Sequence, residues 1–196
     1  AEIREELPNV PIIALTATAT SKVQDDICEK LLFPKNYKKF QQSFERPNLS
    51  YSVFNPSAKQ TKLLEILNNT RGSTLVYCKS RKQTQHIAEM LQLHKLSADF
   101  YHAGMSNDER NNKQGQWIKN NICIMVCTNA FGMGIDKPDV RVVVHYDVPD
   151  CLENYYQEAG RAGRDGKRSY AVLLYNFGET DALQLKSKIK FPAPEE

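Results

Sequence analysis

The sequence predicts an α/β fold, a parallel β-sheet flanked by helices, and three observations predict it. Five short apolar runs recur along the chain, at 74–78 (TLVYC), 98–104 (ADFYHAG), 122–128 (ICIMVCT), 140–148 (VRVVVHYDV) and 169–175 (SYAVLLY). Most are continuously apolar rather than alternating, as strands covered on both faces are. Segments of helical pattern separate them with short connections, and strand–helix alternation of that kind builds a parallel sheet.

Taken in order, residues 10–18 (VPIIALTAT) predict a strand that ends in small hydroxyl residues. Residues 20–33 predict a helix capped by Thr20 or Ser21 and stopped by Pro34. One strand and one helix cannot close a core, so residues 1–45 are expected to be the tail of another domain, with a boundary near Glu45–Pro47. Helices are expected over 58–69, 80–95, 106–121 and 151–163. Ile87, Met90 and Leu91 give the second its apolar face, and Ser106 followed by Glu109 opens the third with a capping-box pattern. Residues 46–177 then form the main lobe with five strands, and 178–196 a C-terminal helix and linker.

A chain of 196 residues is one domain, or one domain and a piece of another. The formal net charge of +3 permits a phosphate-backbone partner without indicating one. No run approaches the roughly 20 apolar residues of a membrane span. The five cysteines contain no CxxC pair, and Cys123 and Cys127 lie in an apolar run as small core residues. A scattered, odd set of this kind suggests a reducing, intracellular setting.

Chemistry is expected in five segments. Residues 128–136 (TNAFGMGID) directly follow a strand, where parallel sheets place ligands. Gly132 and Gly134 allow close backbone approach, Thr128 can donate to a phosphate oxygen, and Asp136 can accept from a ribose or orient an arginine; a glycine turn with a capping aspartate reads the same. Residues 155–166 (YYQEAGRAGRDG) carry Arg161 and Arg164, three apart and expected to share a helix face. A guanidinium pair amid small residues suits the spread charge of a transferring phosphoryl group, or forms a solvated basic helix end. Residues 77–81 (YCKSR) offer Ser80 as a helix cap and Arg81 as a phosphate grip. His102, in YHAG, is a hydrogen-bonded core histidine or a nucleic-acid contact, and 14–19 (ALTATA) ends the first strand in hydroxyls.

Together ALTATA, LVYCKSR, YHAG, TNAFGMGIDKPDVR and YYQEAGRAGRDG resemble motifs III to VI of superfamily 2 helicases in their RecQ form, over roughly residues 10–177. The resemblance implies the second RecA-like lobe of an ATP-dependent DNA helicase, unwinding 3′→5′ in repair and recombination, preceded by a remnant of the first lobe. It implies ATP and Mg²⁺ bound between two lobes, with Arg164 as the finger, Arg161 beside it, and Gln157, Asp136, Gly132 and Gly134 at the cleft edge. Ser80, Arg81, His102, Thr128 and Asn129 would contact DNA, single-stranded or at a fork or junction, and Thr16 and Thr18 would couple the lobes. It implies no membrane partner, and an intracellular location with chromosomal DNA.

The chain departs from a whole helicase in lacking GxxxxGK[ST] and DExH, which would belong to a first lobe in cis. On that expectation the chain alone hydrolyses no ATP. Zinc is expected only in a downstream module that this sequence does not contain. A DEAD- or DEAH-type RNA helicase lobe fits less well, since TAT and QEAGRAGR stand here for the usual SAT and HRxGRxGR. A non-catalytic nucleic-acid-binding module and a small-molecule transferase are the remaining alternatives.

Overall fold

The computed structural model describes residues 6, 10–16, 19–41, 43, 45–132 and 135–181. The chain divides into two compact units, 1–45 and 46–196. In the first, helix α1 (Ser21–Lys30) starts at Thr20, whose hydroxyl accepts from the Val23 N–H. It ends at Lys30, three residues before the expected end, because Leu32 turns the chain at φ 52°. The strand expected at 10–18 does not form: residues 11–16 have no regular structure, and 17–18 lie outside the described residues. Ile13 and Leu15 are exposed. A strand is stabilised by a neighbour's ladder, and the described residues of this unit contain no other strand.

The second unit is a six-stranded, wholly parallel sheet of β1 (Leu49–Phe54), β2 (Ser73–Tyr77), β3 (Ala98–Tyr101), β4 (Ile124–Cys127), β5 (Val140–His145) and β6 (Ser169–Leu174). Its spatial order is β1-β6-β5-β2-β4-β3. Five of these strands were expected, and β1 is the addition. It pairs in register with β6, Leu49 opposite Ser169 through Phe54 opposite Leu174, and forms one edge. Its LSYSVF sequence alternates apolar and polar residues, but of these only Leu49 is buried, and Tyr51 and Val53 are exposed on this edge.

The helices of this unit are α2 (Lys59–Asn68), α3 (Arg81–Leu93), α4 (Asn107–Ile118) and α5 (Leu152–Ala159). One core packs Leu63 and Leu67 of α2 and Ile87, Ala88 and Leu91 of α3 onto Val76, Val126, Val142, Val144 and Leu174. The other packs Trp117 of α4, Ala159 of α5 and Phe131 onto Leu75, Met125, Val143 and Ala171. Strands covered on both faces explain the continuous apolar runs. The α4 capping box forms as the sequence predicts, Ser106 and Glu109 each satisfying the other's backbone N–H. Of the expected C-terminal helix, residues 177–181 are helical and the rest lies outside the described residues. No helix among the described residues is long and apolar enough to cross a membrane.

Candidate functional site

Arg161 and Arg164 were expected on one helix face, and the structure corrects that. Helix α5 ends at Ala159, with Gly160 as its cap, and 160–165 form consecutive turns. Gly163 takes φ 64°, which a side chain would strain, and a Cβ there would stand 2.5 Å from the Asn48 amide nitrogen. The two guanidiniums nevertheless converge on one partner, the 128–136 loop. Arg161 is buried and donates to the Gly132 carbonyl. Arg164 donates to the Ile135 carbonyl at 3.0 Å and to Asp136 Oδ1 at 2.9 Å. The Arg164 side chain is 36% exposed and can reach an outside group; Arg161, 8% exposed, serves the interior.

A side chain at Gly132 would strain the backbone and crowd this convergence. Gly132 sits at φ 104°, and a Cβ would fall 2.6 Å from the Arg161 guanidinium carbon. Gly134, expected beside it, lies outside the described residues. Gln157 is exposed on the last turn of α5 and makes no side-chain hydrogen bond among the described residues.

Residues that sequence reasoning missed hold the arginine turn in place. Arg46 donates to the carbonyls of Gly160 (3.4 Å), Ala162 (3.0 Å) and Gly163 (2.8 Å). Asn48 donates to those of Gly163 (2.8 Å) and Lys167 (2.9 Å). Asp165 pairs with Arg141 at 2.6 Å, and that hydrogen bond, against a lesser burial penalty, holds its carboxyl below the usual range. Arg46 and Asn48 lie more than 110 residues from the carbonyls they meet, so no local spacing announces them.

The expected nucleic-acid contacts gather at the C-terminal ends of β2, β4 and β3, which are neighbours in the sheet. Ser80 caps α3 by accepting from the Gln83 N–H at 3.1 Å. Arg81 follows, exposed, and its guanidinium lies over Gly104, where a Cβ would meet Nη1 at 2.7 Å. The YCKSR and YHAG segments are therefore one patch. His102 is half-buried beside Phe100, ring centroids 5.7 Å apart. Asn129 is exposed, whereas Thr128 is largely buried, its N–H donating to the Tyr101 carbonyl at 3.3 Å. Thr16 is exposed in the first unit, and Thr18 lies outside the described residues.

A cavity of about 90 Å³ opens beside this patch, lined by Lys79, Asn129, Asp147 and Asn154 among others. Its floor holds a buried pair, His145 Nε2 to Glu158 Oε2 at 2.9 Å. His145 stacks on Tyr77, with ring planes 18° apart. Burial, reinforced by Asp147 at Cys78 and by Cys78 at Cys127, pushes both thiols well above their usual range, which removes them as nucleophiles.

The loop joins these two regions. It leaves β4 at Thr128 beside Asn129 and passes Phe131, whose carbonyl accepts from the Tyr77 hydroxyl at 3.3 Å. By Ile135 and Asp136 it has reached Arg164, whose turn is fixed to the first residue of β5 by Gly163 N–H to Val140 carbonyl, 2.9 Å. Its described parts, 128–132 and 135–136, thus touch both regions.

Comparison with known proteins identifies the family. Residues 58–166 match the family described as helicase conserved C-terminal domain. A protein of Acanthamoeba polyphaga mimivirus named as an ATP-dependent RNA helicase is 49% identical over 89% of this chain and 32% of its own length. A RecQ-like DNA helicase of Caenorhabditis elegans is 44% identical over 93% of this chain and 18% of its own. The ATP-dependent DNA helicase Q1 of Rattus norvegicus is 42% identical over 90% and 29%. The chain therefore spans less than a third of the length of these relatives. The C-terminal domain of the DEAD-box protein Dbp5 shares the fold, with a TM-score of 0.58 at 21% identity, over 76% of this chain and 86% of that one.

Proposed function

This chain belongs to the helicase conserved C-terminal domain family, in its RecQ-like form, and we propose that it is the second RecA-like lobe of an ATP-dependent DNA helicase. The observation that carries the proposal is the convergence of Arg161 and Arg164 on the loop that also bears Thr128 and Asn129. One element then touches the groups that would meet ATP and the groups that would meet a nucleic-acid backbone.

Arg164 acts as the finger and Arg161 as its support. The Arg164 guanidinium is partly exposed and held by one carbonyl and one carboxylate, so it can exchange the Asp136 pair for a γ-phosphoryl group. An arginine in that role typically contributes about 10³–10⁵ in rate. Bound Mg²⁺ would neutralise the phosphate charge. Its protein ligands, with the P-loop, are assigned to a first lobe in cis. Ser80, Arg81, His102 and Asn129 form the backbone track for a single strand, at a fork or duplex junction, and cleft closure moves that track through the loop. Unwinding runs 3′→5′ in the service of repair and recombination.

The test is a DNA-stimulated ATPase assay of a two-lobe protein carrying this chain. Arg164→Ala should lower turnover by about 10³ while DNA binding persists. Unchanged turnover would overturn the proposal. The mimivirus relative supports a second reading, with RNA as the strand. Stimulation by RNA and not DNA in the same assay would select it.

A further inference from the structure

We infer that Lys137 is a positioning residue: its buried ammonium fixes the 128–136 loop to the end of α4 and thereby sets where the Arg164 guanidinium stands. The consequence for turnover rests on the function proposed above; the positioning does not.

A lysine beside a glycine-rich loop invites a reading as a phosphate contact, but Lys137 cannot serve as one. Its side chain is 4% exposed, and its three N–H groups have three acceptors. These are the Ile118 carbonyl at 3.2 Å, Asn120 Oδ1 at 2.8 Å and Asp139 Oδ1 at 2.8 Å. The ammonium also stands over the Trp117 ring, 5.3 Å from its centroid. Ile118 is the last residue of α4, where carbonyls lack helical partners and a cation is favoured.

Asn120 makes this cage a junction. It turns the chain at φ 61°, accepts from the Ser73 hydroxyl at 2.8 Å and donates to Asp139 Oδ2 at 3.3 Å. The end of α4, the start of β2 and the loop are thus tied at one point.

The link to Arg164 is the alternation of residues 135–137, which form no helix or strand. Ile135 packs against the core beside Trp117 and Phe131, Asp136 is 83% exposed, and Lys137 is buried again. With both neighbours pinned inward, Asp136 is held outward, and it is Asp136 and the Ile135 carbonyl that hold Arg164.

Nuclear magnetic resonance of the Arg164 guanidinium in the 196-residue chain tests the positioning directly. In the wild type its rotation should be hindered. Lys137→Met should free it, with β-sheet amide protection retained, and Asp139→Asn should fall between the two. Asp139 is 44% exposed, so its variant carries the test if Lys137→Met fails to fold. Wild-type guanidinium signals in a folded variant would overturn the inference.

A kinetic arm follows the consequence in the two-lobe protein. Lys137→Met should lower kcat about tenfold with KM for ATP within about threefold, and should cost nothing further in an Arg164→Ala background. Fully additive losses would show a merely structural lysine. A wild-type two-lobe protein without ATPase would overturn the proposed function and leave the positioning to be decided by the resonance arm.

Discussion

Two arginines three residues apart do different work because one is buried and one is not. Arg161 satisfies the Gly132 carbonyl inside the core. Arg161→Ala strands that carbonyl, and an unpaired buried polar group costs about 1–3 kcal/mol. Arg164 holds an exposed pair, worth about 0–1 kcal/mol. Thermal melts should therefore fall several degrees for Arg161→Ala and barely move for Arg164→Ala; equal shifts would contradict the division of roles. The spacing picks out both arginines without separating them, and only the resemblance to RecQ helicases favours Arg164 as the finger. The helical spacing extends through 160–164, whereas Gly160 and Gly163 release the chain into turns. Lys137 is invisible for a related reason: its spacing shows a charge beside a glycine loop, and only the cage of Ile118, Asn120 and Asp139 shows it turned inward.

At the scale of elements, the apolar runs announce the five strands that helices cover on both faces, and Ser106 with Glu109 announces the start of α4. Ser106→Ala should cost about 1 kcal/mol, read by chemical denaturation, since it removes an oxygen that accepts from the Glu109 N–H. The edge strand β1 escapes a search for continuous runs because its signal is the alternation of Leu49, Tyr51 and Val53 with Ser50 and Ser52. The run at 11–16 has strand composition but no partner strand among the described residues of its unit, and composition cannot supply a partner. The turn that carries Arg164 is closed by Asp165 on Arg141, with the Asp165 carboxyl held below its ordinary value. A depressed carboxyl contributes stability above its unfolded pKa of about 3.9 and loses it as pH falls through the lower folded value. Asp165→Asn should flatten the stability–pH curve below about pH 4 and leave its shape near neutrality unchanged. An identical acid slope in the two proteins would remove Asp165 from the account.

The whole molecule carries a net charge of only +3, so the proposed affinity for a nucleic acid has to come from where charge is placed. Arg81 lies exposed beside Gly104, and Ser80 and Asn129 stand at the neighbouring strand ends. These contacts would address phosphates, and each phosphate neutralised on a single strand contributes about 0.7 to the slope of log affinity against log salt. On the proposed function this chain supplies one half of a two-lobe track, so its binding should be weak, with a slope of one or two such units. Arg81→Ala should reduce the slope by about one unit of 0.7 and weaken binding similarly across sequences. In the same preparation ATP should stay unhydrolysed, because the chain has no P-loop lysine and no cluster of metal-ligating residues among its described residues. Fluorescence anisotropy of a labelled oligonucleotide over a salt series, with radiolabelled ATP added at each point, measures both. Tight binding indifferent to salt would refute the backbone track, and hydrolysis by the pure chain would refute the assignment of the P-loop and Mg²⁺ ligands to another lobe.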